Sequence, residues 1–196
     1  MHQIELAAKR FIDVSACVLI FSFGFPLFLL IGFLVKRTSP GPVFFVQPRV
    51  GKDQRLFRLV KFRTMTGSPD PTTTSWSKSE EARITPIGGF LRDYGLDELP
   101  QVFNIVKGEM SIIGPRPPLP AQVETYTPEQ RKVFRMQPGV LSLAAIAGRR
   151  SIPMEQRIDL HVQYVENWSF KLDMRILWES LFIVLGRRDA LETDIR

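Results

Sequence analysis

The sequence predicts an α+β fold: an N-terminal membrane helix that breaks and turns back, a small β-hairpin, and several short helices, some lying on a membrane surface. Three observations predict it. Val14 to Val35 is a run of 22 residues without a charged side chain. Two β-rich runs, Val43 to Val46 and Leu56 to Phe62, flank a turn at Gly51-Lys52-Asp53. Beyond them, apolar residues recur at helical spacing between glycines and prolines. A chain of 196 residues is about one domain with a real core. Its expected division is residues 1–38 for the membrane helix and its flanks, 39–188 for a cytoplasmic interfacial domain, and 189–196 for a tail.

The apolar run is about 33 Å long as a helix, enough to cross a hydrocarbon core of ~30 Å. A secretory signal is a poor fit, because Lys36-Arg37 follows the run in place of a small-residue cleavage pattern. Lys9-Arg10 and Lys36-Arg37 flank its two ends, so the positive-inside rule pulls both to the cytoplasm. Pro26 withholds a backbone N–H from the carbonyl of Ser22, and Gly24 and Ser22 ease a break there. The expectation is a helix that breaks at Pro26 and re-enters one leaflet, with a true span and a buried soluble helix as alternatives.

Ser39-Pro40-Gly41-Pro42 forms a turn into the hairpin, which carries Arg49, Lys52, Arg55 and Arg58. Residues 67–80, rich in Ser, Thr and Pro, read as a loop. Pro86 to Tyr94 reads as a helix stopped at Gly95, and Leu96-Asp97-Glu98-Leu99-Pro100 starts another. Leu99, Val102, Phe103 and Val106 give that second helix an apolar face, and Gly108 ends it. Pro128 to Met136 is a short helix. Leu172 to Leu185 is a C-terminal helix, apolar on most faces and suited to a membrane surface, ended by Gly186-Arg187-Arg188.

Charge is uneven. Residues 1–63 hold ten basic and three acidic side chains, a net +7; the whole chain is +6, so the remainder is −1. A basic block beside an apolar run predicts contact with anionic lipid headgroups. No helix-turn-helix, zinc or RNA-binding aromatic signature accompanies it, so nucleic acid is not an expected partner. Cys17 is the one cysteine, and His2 and His161 are the two histidines. Disulfides and Cys- or His-rich metal sites are therefore excluded within one chain, and His161 reads as a partly buried structural residue. Any metal would be a hard, oxygen-liganded cation.

Asp97 and Glu98 carry the chemistry that can be read. Adjacent carboxylates at a helix start are ordinarily capping residues. Here Arg92 lies about one turn upstream, and Arg116 is held between Pro115 and Pro117, whose fixed φ pre-aims it. A carboxylate that can attack phosphorus, a second that can hold Mg²⁺, and a guanidinium fork that binds phosphate form a plausible kit for phosphoryl chemistry. There is no Walker glycine loop or kinase signature, so ATP chemistry has no support.

These residues sit within a longer series of motifs. In order they are Lys9-Arg10-Phe11-Ile12-Asp13, Ser39-Pro40-Gly41-Pro42-Val43-Phe44-Phe45, Arg49-Val50-Gly51, Lys61-Phe62-Arg63-Thr64-Met65 and Ile84-Thr85-Pro86-Ile87-Gly88. Leu96-Asp97-Glu98-Leu99-Pro100-Gln101, Asn104, Lys107-Gly108-Glu109-Met110-Ser111 and Gly114-Pro115-Arg116-Pro117 follow, then Tyr164-Val165-Glu166-Asn167-Trp168-Ser169 and Leu172-Asp173. Over roughly residues 9–188 the chain resembles the monotopic phosphoglycosyl transferases, bacterial sugar transferases that prime glycan assembly on a polyprenol phosphate.

The resemblance implies transfer of a phosphosugar from a UDP-sugar to undecaprenyl phosphate with release of UMP. That is the first membrane step of exopolysaccharide, capsule, O-antigen or glycoprotein glycan assembly, at the cytoplasmic face of the bacterial plasma membrane. By analogy Asp97 is the nucleophile that carries the phosphosugar, and Glu98, with Asp97, holds Mg²⁺. Arg116 holds phosphate, with Arg92, Lys61 and Arg149 as further substrate-binding candidates. Asp173 matches a family carboxylate without a derivable role, and Pro26 matches the proline of the family's helix break. The resemblance leaves the sugar open, and also whether the chain forms a homo-oligomer.

One stretch departs. The family pattern has a Thr-Gly-Trp-Ala-Gln-like segment where this chain has Val140-Leu141-Ser142-Leu143-Ala144-Ala145 after Gln137-Pro138-Gly139. The loss of polar and aromatic groups there raises an alternative: a catalytically weakened member that scaffolds glycan assembly.

Overall fold

The computed structural model describes residues 3–67, 82–148 and 152–184. The order is α1 (Gln3–Thr38), β1 (Phe44–Val50), a 3-10 turn (Lys52–Gln54), β2 (Leu56–Phe62), α2 (Pro86–Asp93) and a 3-10 turn (Leu96–Glu98). Then come α3 (Gln101–Lys107), β3 (Ser111–Ile113), α4 (Pro120–Val123), a 3-10 helix (Gln130–Arg135), β4 (Gly139–Leu141), α5 (Leu143–Ile146), α6 (Met154–Glu166) and α7 (Phe170–Val184). This is the mixed helix-and-hairpin architecture that the sequence predicts. The loop expected over residues 67–80 lies, Gly67 apart, outside the described residues, as do the tail and the Gly186-Arg187-Arg188 stop.

The N-terminal helix corrects one expectation. It does not break at Pro26; α1 is a single helix of 36 residues with Pro26 inside it. Leu6, Arg10, Asp13, Cys17, Phe21, Gly24, Phe28, Ile31 and Val35 recur at spacings of three and four and are all buried or half-buried. That stripe packs on the rest of the protein both before and after Pro26, which holds the axis together. Pro26 itself is on the exposed face, and the loss there is one N–H to the carbonyl of Ser22. The outer face is apolar and bare: Phe11, Val18, Leu19, Phe23, Leu29 and Phe33 are all exposed. By length and composition α1 could cross a membrane.

Both ends of α1 are pinned to the same domain. Near its start, Lys9 Nζ donates to Asp173 Oδ2 at 2.6 Å, and both residues are buried. Asp173 also accepts from Tyr164 Oη at 2.7 Å and Trp168 Nε1 at 3.1 Å. Asp13 accepts from Ser111 Oγ at 2.7 Å and Ile112 N at 3.2 Å. Arg10 donates to the carbonyls of Ile105 and Val106 at the C-terminal end of α3, where a cation also meets the helix dipole. Further along, the Phe21 ring packs on Phe103 and the Phe28 ring on Phe62, with centroids 5.5 and 4.9 Å apart. Past Val35, Arg63 Nη2 donates to the carbonyl of Ser39 at 2.8 Å.

The hairpin pairs Phe44 with Phe62 through to Val50 with Leu56. β1 is longer than its predicted core of Val43 to Val46, because Pro48 is tolerated on an edge strand. The free edge of β2 meets α3 through one side chain. Asn104 Oδ1 accepts from Val60 N at 3.1 Å and Asn104 Nδ2 donates to the carbonyl of Arg58 at 2.7 Å, as a neighbouring strand would. A second sheet, unforeseen from the sequence, pairs β3 and β4 in parallel, Ser111 with Gly139 and Ile113 with Leu141. Behind it Ile113, Met136, Ile146, Tyr164, Val165 and Ile176 form a buried cluster.

Candidate active site

Asp97 and Glu98 do not open a continuous helix. They lie in the 3-10 turn Leu96–Glu98, entered from Gly95 in the left-handed conformation (φ 68°), and α3 begins only at Gln101. Pro100 has no N–H to donate four residues back, so the chain closes three-residue bonds instead: Leu99 N to Leu96 O, Val102 N to Leu99 O and Phe103 N to Pro100 O. Neither carboxylate is spent on a helix cap.

Three segments converge on this turn. β2 supplies Lys61, whose Nζ donates to Glu98 Oε1 at 2.5 Å. The Gly114–Pro118 segment supplies Arg116, whose Nη2 donates to the same oxygen at 3.0 Å. Pro115 and Pro117 are buried while the Arg116 side chain is half-exposed, so the prolines aim it outward. The backbone under Arg116 is tightly held. Gly114 N donates to Leu141 O at 3.0 Å, and Gly139 N donates to Pro115 O at 2.9 Å. A Cβ on Gly139 would lie 2.0 Å from Gly114 N, and one on Gly114 would lie 2.5 Å from the carbonyl of Gln137, so glycine is required at both. Arg92, in the last turn of α2, is close enough for its charge to act on Asp97.

The two carboxylates differ in environment. Burial alone would raise the pKa of Glu98, but Arg116 and Lys61 outweigh it and hold the group at about 2. Asp97 is raised above the ordinary carboxylate value. Burial is the main cause and the neighbouring Glu98 adds to it, against the pull of Lys61, Arg92 and Arg116. Lys61 is lowered, by burial first and then by Arg116. Paired acids pushed apart in this way are suited to different roles. Glu98 is a fixed anion, while Asp97 is a more basic carboxylate with no hydrogen-bond partner among the described residues.

Mg²⁺ fits the donor set only as a shared ion. Among the described residues no group of three or more His, Cys, Asp or Glu gathers around one point. Lys61 and Arg116 both bond Oε1 of Glu98, which leaves Oε2 and the Asp97 carboxylate as candidate ligands. Mg²⁺ commonly takes one or two carboxylates and completes its shell with substrate phosphates and water.

Not every candidate belongs here. Asp173 does not: it is the buried acceptor for Lys9, Tyr164 and Trp168 that locks α1 to α6 and α7. Pro26 lies within α1, and Arg149 lies outside the described residues. His161 is a buried core residue, held neutral with a pKa near 4 by burial and by the charges of Arg116 and Arg157. Sequence reasoning missed Arg49 as part of the site. It donates to Pro117 O at 3.0 Å, and Arg116 and Glu98 both act on its charge. The available signal was strand alternation: Gln47 and Arg49 share a hairpin face with Lys61. The departing stretch lies in β4 and α5, and Leu141, Leu143 and Ile146 pack in or against the Ile113–Tyr164 cluster. Its apolar residues serve packing.

Comparison with known proteins identifies the family. The bacterial sugar transferase family model matches residues 4–187. The uncharacterized sugar transferase EpsL of Bacillus subtilis is 38% identical over 95% of this chain and 91% of its own length. The exopolysaccharide production protein ExoY of Sinorhizobium fredii is 35% identical over 89% of this chain and 84% of its own. A UDP-glucose:undecaprenyl-phosphate glucose-1-phosphate transferase of Caulobacter vibrioides is 35% identical over 94% of this chain and 70% of its own. With the match running from the first turns of α1 to beyond α7 and enclosing the whole Asp97–Glu98–Arg116 site, the chain belongs to the bacterial sugar transferase family.

Proposed function

We propose that this protein is a phosphoglycosyl transferase that moves a phosphosugar from a UDP-sugar to undecaprenyl phosphate and releases UMP. The observation that carries the reading is a geometric one: Asp97, a carboxylate with no hydrogen-bond partner among the described residues, stands beside Glu98, which Lys61 and Arg116 hold through one oxygen. Lys61, Arg92, Arg116 and Arg49 all act electrostatically on the Asp97–Glu98 pair. Lys61 and Arg116, which bond Glu98, and Arg92 and Arg49, whose charges act on the pair, suit the negative charges of a sugar nucleotide's diphosphate.

In this mechanism an Asp97 carboxylate oxygen attacks the phosphorus that bears the sugar. The bond from that phosphorus to the UMP oxygen breaks, and UMP leaves with the electron pair. The phosphate oxygen of undecaprenyl phosphate then attacks the same phosphorus and returns Asp97 to a carboxylate. Arg116 holds phosphate oxygens with a two-pronged fork. Lys61 fixes Glu98 and keeps it ionised. Glu98 and Asp97 would hold Mg²⁺ through carboxylate oxygens, and the ion would supply charge neutralisation at the diphosphate.

The position of α1 supports a monotopic placement at the cytoplasmic face. Its apolar outer face suits lipid, yet Lys9 and Asp13 at one end and Val35 at the other pack on the same domain. A simple span would carry one of those ends across the bilayer. The basic residues of the first third suit anionic headgroups. The scaffolding alternative draws no support from the site, where Asp97, Glu98, Lys61 and Arg116 are assembled.

The test is a panel of UDP-sugars offered with undecaprenyl phosphate in detergent micelles. The expected product is UMP with at least one sugar. Release of UDP would indicate direct glycosyl transfer, and no turnover with any donor would favour the scaffold.

A further inference from the structure

Lys61 and Arg116 each bond Glu98, but among the described residues Arg49 bonds no carboxylate. Its two acceptors are neutral: Pro117 O from Nη1 at 3.0 Å and Gln47 Oε1 from Nη2 at 2.7 Å. Its Nε is buried without a partner among the described residues. A guanidinium has five N–H donors, and two are used among the described residues. The group is also rigidly placed. The next residue, Val50, donates its backbone N–H to Pro118 O at 3.0 Å, so successive residues of β1 clasp the segment that carries Arg116. Burial and the neighbouring Arg116 charge push the Arg49 pKa down to about 10, against the pull of Glu98. A partly buried cation beside a second cation, with only neutral acceptors, is costly unless something else compensates it.

We propose that Arg49 and Arg116 form a two-guanidinium clamp for a phosphate group, with the unused Arg49 donors contacting its oxygens. The hairpin register explains the placement. Arg49 faces Phe57, Gln47 faces Leu59 and Phe45 faces Lys61, so Arg49 and Lys61 stand on one side of the sheet toward the same turn. The clamp rests on the transferase reading only for the identity of the ligand. The phosphate is either the donor's diphosphate or the acceptor's lipid phosphate.

Inorganic pyrophosphate probes the clamp without reference to any reaction. Titration of the full chain in detergent by calorimetry should show binding that Arg49→Gln weakens by roughly tenfold to a hundredfold, the value of a hydrogen bond to a charged group. Glutamine is too short to replace the bond to Pro117 O, so urea unfolding of that variant measures the structural share of the loss separately. Arg49→Lys keeps the charge without the fork and should fall between the two. Should Arg49→Gln not fold, Arg49→Lys carries the test, and pyrophosphate binding equal to wild type in it overturns the clamp. Wild-type affinity in a folded Arg49→Gln protein, or no pyrophosphate binding by the wild type, also overturns it. A rise in KM confined to the UDP-sugar assigns the clamp to the donor. A rise confined to undecaprenyl phosphate assigns it to the acceptor. Pyrophosphate binding that depends on Arg49, in a protein that releases no UMP, would keep the clamp and reject the transferase reading.

Discussion

Replacing Asp173 with asparagine should cost the fold about 3–5 kcal/mol, because it leaves the Lys9 ammonium buried without a counter-charge. Lys9 and Asp173 have side chains only 9% and 4% exposed and lie 2.6 Å apart, so little water screens the pair. The other two donors suffer less. Tyr164 Oη keeps Ile113 O at 3.2 Å, and the asparagine oxygen can still accept from one of Tyr164 and Trp168. For a chain of this size that cost corresponds to a fall in Tm of roughly 6–20 °C. Urea unfolding in detergent, followed by tryptophan fluorescence, measures it with Trp168 as a local reporter. Lys9→Met in the Asp173→Asn background should recover much of the loss, giving a coupling energy of about 2 kcal/mol or more. A single variant that loses less than about 1 kcal/mol, or a double variant that loses the sum of the two, would refute the assignment of Asp173 as the anchor of α1.

Two further perturbations follow from buried polar groups. Asn104→Ala should cost about 2–4 kcal/mol, since Val60 N and Arg58 O both lose the partner that completes the edge of β2. Chemical denaturation checks it, and KM for the sugar nucleotide should rise because Lys61 is on that strand. His161 has a folded pKa near 4 against an ordinary 6.5, so the unfolded chain binds the proton first as pH falls. The stability it contributes is present above about pH 6.5 and is lost as pH drops toward 4; His161→Leu should flatten the stability profile over that window.

The apolar run, the hairpin and the Asp97–Glu98–Arg116 kit were legible because each carries a strong local signal: length without charge, alternation with turn residues, and carboxylates beside a proline-framed arginine. Other features depend on tertiary contacts. β3 and β4 are three residues each, too short for a pattern, and they pair across a long connection. Pro26 read as a break because a proline removes a hydrogen bond. The sequence could not reveal that packing on both sides of Pro26, Phe21 on Phe103 and Phe28 on Phe62, would hold the helix together there. The 3-10 geometry under Asp97 and Glu98 follows from Pro100, a residue visible in the sequence whose effect extended one turn earlier than its position suggested. Arg49 was recognised as a hairpin charge, but its closeness to Arg116 is a product of how β1 docks on the Pro115–Pro118 segment. Asp173 matched a motif, and only the partners around it reveal an anchor.

The central claim is that Asp97 carries the phosphosugar covalently, and mass spectrometry of the intact protein tests it most directly. The protein is incubated with a UDP-sugar that it turns over, without lipid acceptor, quenched and digested. The account predicts a mass gain of one phosphosugar on the peptide that holds Asp97, stoichiometric release of UMP, and loss of the adduct when undecaprenyl phosphate is added. Asp97→Asn, still folded, should form no adduct and release no UMP. A substrate that turns over with no adduct at any time, or an adduct that forms equally on Asp97→Asn, would contradict the account.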